Sequence, residues 1–332
     1  MDDVLVRTSV PSPFSRTAKQ GLTAFDLVGS YLASTQFCFY ALSLLKPGQL
    51  SAMRTSPLTL FLLLIALPAL AQQPASDLEQ GLAWSTYAGQ QLHSYHTAHH
   101  AAIQAIEEQA AGPAEMPPLF AARPDGDGWA FGFGALNDED AFLITYGVIV
   151  EGDGAIDSFS HFETPREASP YHTQAARALR SVITAFQRRM RLDESFEAAD
   201  YRVAVLPFPE GEFTAFVSPS QTSGSVIHAG NDVMYSIDRT HSTILEKMRF
   251  HHRLISVPMA PPADLSGETD MPALIVPNAP IPSPVDVLHA MERNTSLALL
   301  TKHGAFVIEP GGAITPLPDN DPLAEALHAQ VD

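Results

Sequence analysis

The feature that most constrains this chain is an export-type segment lying well inside it. Met53-Arg54-Thr55-Ser56-Pro57 leads into the apolar run Leu58–Leu67, followed by Pro68 and then Ala69-Leu70-Ala71. A cation, an apolar stretch, a helix breaker and an A-x-A site, in that order, make a secretory signal peptide. The apolar run is shorter than the roughly 20 residues that a stable membrane span needs. The expectation is cleavage after Ala71, a periplasmic or secreted destination, and no membrane anchor after cleavage. A signal belongs at an N-terminus, so Met53 is the expected start and residues 1–52 an over-extended reading frame. The rival is a genuine cytoplasmic extension ahead of an internal signal. Under either reading the fold is sought from Gln72 onward.

Beyond Ala71 there are 14 Lys and Arg against 34 Asp and Glu, a charge of −20 with histidine neutral. Such a surface repels phosphate backbones and anionic lipid, so nucleic acid is not an expected partner. The partner is expected to be a protein or a small molecule. The chain's single cysteine, Cys38, precedes the signal. The exported part can therefore form no disulfide, thiolate metal site or cysteine nucleophile, and must be held by its core. An exported, disulfide-free, acidic chain points to a bacterial source.

Ser76 and Glu79 form an S-x-x-E capping box. With Leu78, Leu82, Tyr87, Leu92, Ile103 and Ile106 they predict a long N-terminal helix within residues 72–112, ending at Gly112-Pro113. Pro113–Asp127 reads as a proline-rich connector. Trp129–Phe133 and Ala141–Val150 read as paired strands, and Ser158–Phe162 as irregular. Ser169-Pro170 opens a second, amphipathic helix carrying Ala176, Leu179, Ile183, Phe186 and Met190 at helical spacing. Strands are expected at Tyr201–Leu206, Glu212–Ser218, Asp232–Asp238 and Arg253–Val257, followed by a proline-rich, acidic stretch, Pro258–Pro284, with a short apolar run at Ala273–Val276. A short helix follows at Val285–Arg293. Leu297–Thr301 and Ala305–Glu309 make a hairpin across Lys302-His303-Gly304, and Leu323–Ala329 a last helix. No repeat period is visible. Helices and strands come in blocks, which predicts an α+β domain over 113–332: a mainly antiparallel sheet with the long helix and the second helix packed on it.

The densest chemistry is His93-Ser94-Tyr95-His96-Thr97-Ala98-His99-His100. His93, His96 and His100 share one helix face, where imidazoles could chelate zinc or another divalent cation. The same spacing also fits a plain polar helix face. His251 and His252 are further candidates, with Glu246 nearby; on a strand the two imidazoles would point to opposite faces. His228 near Ser223 and Ser225 lacks any G-x-S-x-G elbow. Asp125-Gly126-Asp127-Gly128 lacks the further ligands of a calcium loop and reads as a turn.

Ser283-Pro284-Val285-Asp286, followed by LALLTKHGAFVIE, resembles the C-terminal part of a JAMM/MPN-type metallo-isopeptidase over residues 273–310. The resemblance implies Asp286 as the zinc ligand of an S-x-x-D motif. That family also supplies two histidines from an upstream H-x-H-P, which is absent here; Ala273–Pro280 stands in its place. The resemblance therefore implies a degenerate, non-hydrolytic relative. S-x-x-D is equally an ordinary helix N-cap. The residues together predict an exported, non-catalytic binding or structural protein without a resident cofactor. The alternative is a metal-dependent hydrolase built on the histidine cluster.

Overall fold

The computed structural model describes residues 76–109, 116–192, 200–208, 211–221, 224–259, 271–276 and 278–330. The expected extension 1–52, the signal 53–71, the Gly112-Pro113 stop and Ser223 lie outside them. The chain divides between Gly81 and Leu82, and the later part forms one compact unit.

Helix α1 spans Asp77–Gln109. Its capping box is formed: Glu79 N donates to Ser76 Oγ at 3.2 Å, and Ser76 N to Glu79 Oε2 at 2.7 Å. Ala88, Leu92, Tyr95, Ala102 and Ile106 recur at helical spacing and are all buried. Strands β1 (Leu119–Asp125), β2 (Gly128–Leu136), β3 (Phe142–Val150) and β4 (Ile156–Glu167) form an antiparallel sheet in chain order. Two expectations are corrected here. The supposed connector contains β1, whose end and the start of β2 are joined through Gly126 at φ 64°, so the Asp-Gly-Asp-Gly run is a hairpin turn. Ser158–Phe162 belongs to β4. This edge strand is mostly exposed, so pairing with β3 rather than alternating burial makes it a strand.

Helix α2 (Pro170–Leu192) leads to a second antiparallel sheet of β5 (Tyr201–Pro207), β6 (Glu212–Pro219), β8 (Val233–Asp238) and β9 (Ile244–Arg249). A helix followed by a four-stranded antiparallel sheet thus occurs twice, a repetition of architecture without a sequence period. Between β6 and β8, β7 (Val226–Ala229) leaves the sheet to pair with β10 (Ile255–Pro258). Gly230 and Asn231, both at positive φ, make that departure. Strands β7 and β9 were not legible as strands in the sequence. The last layer holds β11 (Ala273–Ile275), α3 (Pro284–Arg293), β12 (Leu297–Thr301), β13 (Gly304–Ile308), β14 (Ile314–Pro316) and α4 (Pro322–His328). Strand β11 runs parallel to β12; the other pairs in this sheet are antiparallel. The class is α+β and mostly antiparallel, as expected, but the single expected sheet is four sheets among the described residues.

Strands β5, β6 and β8 of the second sheet are buried on both faces. Ala204, Leu206, Phe216 and Met234 pack towards α1 with Trp129, Phe131 and Val148 of the first sheet. Val205, Phe213, Ala215, Val217, Tyr235 and Ile237 pack towards α2, against Ala175, Leu179, Val182 and Phe186. Helix α3 closes on α1 at Gly89. A Cβ there would lie 2.5 Å from Val287 Cβ and 2.9 Å from the Pro284 carbonyl oxygen. One turn earlier, Ser85 Oγ donates to the Pro282 carbonyl at 2.8 Å. This close crossing sets α3 against the body and positions the polar groups described next.

Candidate functional site

The N-terminus of α3 is built by a capping box in which both partners are buried. Asp286 N donates to Ser283 Oγ at 3.2 Å, while Ser283 N and Oγ each donate to Asp286 Oδ2 at 2.8 Å. With Oδ2 committed to the cap, Oδ1 faces His251 Nε2 at 3.5 Å. On the far side of that ring, His251 Nδ1 donates to Asp232, at 2.8 Å to Oδ1 and 3.0 Å to Oδ2. Asp232 and Asp286 are 0% exposed and His251 is 3% exposed. Asp232 leads into β8, and His251 follows β9. Gly230, at φ 97°, lets the two segments meet, because any Cβ there would run into the Arg253 carbonyl oxygen.

Along α3, Asp286, His289 and Glu292 follow at three-residue steps, so each is a neighbour of the next on the helix surface. His289 is 0% exposed, and its Nδ1 lies 4.0 Å from Glu292 Oε2. Glu292 takes both arms of the Arg202 guanidinium from β5, with Nη2 to Oε2 at 2.7 Å. Arg202 Nε reaches Ser218 Oγ at 3.3 Å. From α1, His93 and His96 lie within electrostatic reach of Arg202, and His96 also of His289. A buried polar seam therefore runs beneath α3, with carboxylates and imidazoles alternating along it.

Burial opposes charge on His251, Asp286, His289 and His96, and of these only at His251 do neighbouring charges reverse its effect. For His251 burial acts downward, but the Asp232 and Asp286 carboxylates outweigh it and raise the imidazole to about 9. It is a cation at neutral pH, clasped by two carboxyl groups. Burial raises Asp286 above the usual carboxylate range, with His251 pulling against it. His289 and His96 are held well below the ordinary histidine value by burial, reinforced by the Arg202 cation. These two imidazoles are neutral.

The residues singled out from sequence do not form one constellation. His93 and His96 are half-buried within electrostatic reach of Arg202, while His100 is exposed. His99, not chosen from the sequence, sits among aromatic rings, 4.2 Å from Phe120 and 5.9 Å from Phe133 between centroids. His251 and His252 do not lie on a strand: they follow β9 in a bend, one buried and one exposed. Glu246 is exposed on the edge strand β9. His228 lies on β7, with Nδ1 3.2 Å from Ser256 Oγ. Ser283 and Asp286 do stand together, as the cap of α3. Among the described residues no three His, Cys, Asp or Glu side chains gather closely enough to hold a metal ion. Sequence reasoning missed Asp232, His289, Glu292 and Arg202. The available signal was the three-residue ladder Asp286-His289-Glu292, interleaved with Val285, Val287, Leu288 and Ala290.

Chemically the seam stores one positive charge between two carboxylates and one bidentate ion pair beside it. Its only hydroxyl at Asp286 is consumed by the cap, and its catalytic-type side chains are sealed. No helix among the described residues is long and apolar enough to cross a membrane. No family model, curated protein or solved structure matches the chain.

Proposed function

We propose that this chain is an exported bacterial protein that acts by binding or by structure, without catalysis of its own. The observation that carries this reading is the burial of its chemistry. Asp232, His251, Asp286 and His289 are between 0% and 3% exposed, whereas a catalytic group must reach a substrate in a pocket. These side chains tie α3 to the second sheet and leave recognition to the exterior. The acidic balance beyond Ala71 favours a protein or small-molecule partner over nucleic acid. The export half of the proposal rests on the segment 53–71. The metal-hydrolase alternative gains no support from convergence among the described residues, and Asp286 of the S-x-x-D motif is engaged as a helix cap.

The test is expression in a Gram-negative host from Met1 and, in parallel, from Met53, with fractionation and N-terminal sequencing. A periplasmic or secreted product beginning at Gln72 from either start supports export; an uncleaved cytoplasmic product from both overturns it. In-compartment cross-linking then addresses binding. A reproducible partner supports the role, and hydrolysis of a model ester, peptide or phosphoester that is lost in a His251→Gln variant overturns it.

A further inference from the structure

His289 is fully buried, yet neither ring nitrogen makes a hydrogen bond to the protein among the described residues. His251 Nε2 and Asp286 Oδ1 are likewise without one, although they face each other at 3.5 Å. His289 and Asp286 are one turn apart on the buried side of α3. The nearest carboxylate to the His289 ring, Glu292 Oε2, stands 4.0 Å from Nδ1. Neither approach is a hydrogen bond, and both are too short for a molecule to stand between the two atoms, so a water that satisfies them has to approach from beside each pair. Leaving four such atoms unsatisfied in a low-dielectric interior would be costly, and native interiors rarely do so.

We propose that the seam beneath α3 contains an internal water-binding site, lined by His251, Asp286, His289 and Glu292. The lining selects the ligand class. It offers imidazole N–H donors and carboxylate acceptors together, which an amphoteric molecule satisfies from both sides. An inorganic anion would face Asp286, Glu292 and Asp232. A metal cation would need neutral imidazoles and three converging ligands, and His251 is already held as a cation between carboxylates. The bound water completes a continuous polar line from Glu292, at 18% side-chain exposure, through His289 to the fully buried pair Asp286 and Asp232. The proposal does not depend on export or on any partner.

The test is water-to-imidazole cross-relaxation by NMR on the full chain with labelled histidine, with exposed His303 as the control. Cross-peaks from long-lived water to the rings of His289 and His251 are expected, without a comparable signal at His303. Their absence from both buried rings overturns the proposal. A variant, His289→Leu, reads the same site through thermal stability. If water satisfies the ring, the variant loses the His251 cross-peak and its Tm falls. A dry site instead gains Tm, because an unsatisfied polar group has been replaced by an apolar one of similar size, and that result also overturns the proposal.

Discussion

His251 donates from Nδ1 to both oxygens of Asp232, at 2.8 and 3.0 Å, with neither side chain reaching solvent. The opposite nitrogen faces Asp286. Removing the cation strands two buried carboxyl groups, and breaking a buried ionic pair from one side costs about 3–5 kcal/mol. His251→Ala is expected to lose that much in urea unfolding at pH 7. A companion Asp232→Asn/His251→Gln double variant should recover part of the loss, since it removes charge from both ends.

The same imidazole sets the alkaline limit of stability. Its folded value is raised to about 9 from 6.5, so the folded state binds a proton that the unfolded chain releases. The stabilisation is complete below pH 6.5 and is lost as pH rises through 9, amounting to about 3 kcal/mol. His96 and His289 act with the opposite sign. They stay neutral when folded, with values well below the ordinary one, so the unfolded state binds more protons under acid. Stability should therefore fall again as pH drops below 6.5. Denaturant midpoints between pH 4 and 10 should show a maximum between these two flanks, and His251→Gln should flatten the alkaline one.

Gly89 is the point where α3 meets α1. A methyl group there would sit 2.5 Å from Val287 Cβ. Alanine would improve helix propensity by about 1 kcal/mol, yet overpacking a tight contact costs about 1–3 kcal/mol. Gly89→Ala is expected to be destabilising by about 1–2 kcal/mol, because the clash is with a β-carbon and a backbone oxygen that cannot swing aside. Gly89→Leu is expected to be strongly destabilising and to expose amides of α3 to hydrogen exchange.

Ser283→Ala removes the cap hydroxyl and should cost about 1 kcal/mol. His100→Ala and Glu246→Ala, both at exposed positions, should stay within about 0.5 kcal/mol of the parent. Thermal unfolding of the three variants side by side separates a buried cap from surface candidates.

Arg202 grips Glu292 with two guanidinium nitrogens, and their side chains are 21% and 18% exposed. Partial exposure tempers the cost of losing one partner to about 2 kcal/mol. Arg202→Met should show this loss at low salt and at 0.5 M salt alike, because a half-enclosed pair is weakly screened.

The helices were readable from sequence because each announces itself locally. Ser76 with Glu79, Ser169 with Pro170, and Ser283 with Asp286 mark their starts. The strands with alternating or continuous apolar runs were readable too, down to the β12–β13 hairpin. What escaped was structure fixed by partners. Strand β4 is polar on both sides and exists through its pairing with β3. The exposed edge strand β9 carries Glu246 and Lys247, and β7 is defined by a distant strand, β10. The site divided in the same way. Ser283 and Asp286 were visible as a local motif. Asp232 and Arg202 lie 54 and 84 residues from Asp286 in the chain, and no spacing rule joins them. His93 and His100 looked alike in sequence, and only packing against β5 and α3 tells them apart.

The double-sided burial of β5, β6 and β8 in the second sheet has a consequence for how that sheet finds its alignment. A strand with one wet face cannot slip by a residue without exposing its apolar side chains. In strands β5, β6 and β8 that safeguard takes another form, since both faces are covered. The α2 side is apolar, with Val205, Phe213, Ala215, Val217, Tyr235 and Ile237, and a slip by one residue would bring Thr214, Ser218 and Ser236 into it. The opposite side adds polar cross-strand contacts: Arg202 opposite Ser218 at 3.3 Å, and Ser236 with Glu212 at 2.6 Å. Arg202 carries Glu292, and with it α3, into the same alignment. The residues that look like a candidate site thus also serve as an index mark, reinforcing the strand alignment that the apolar side already favours.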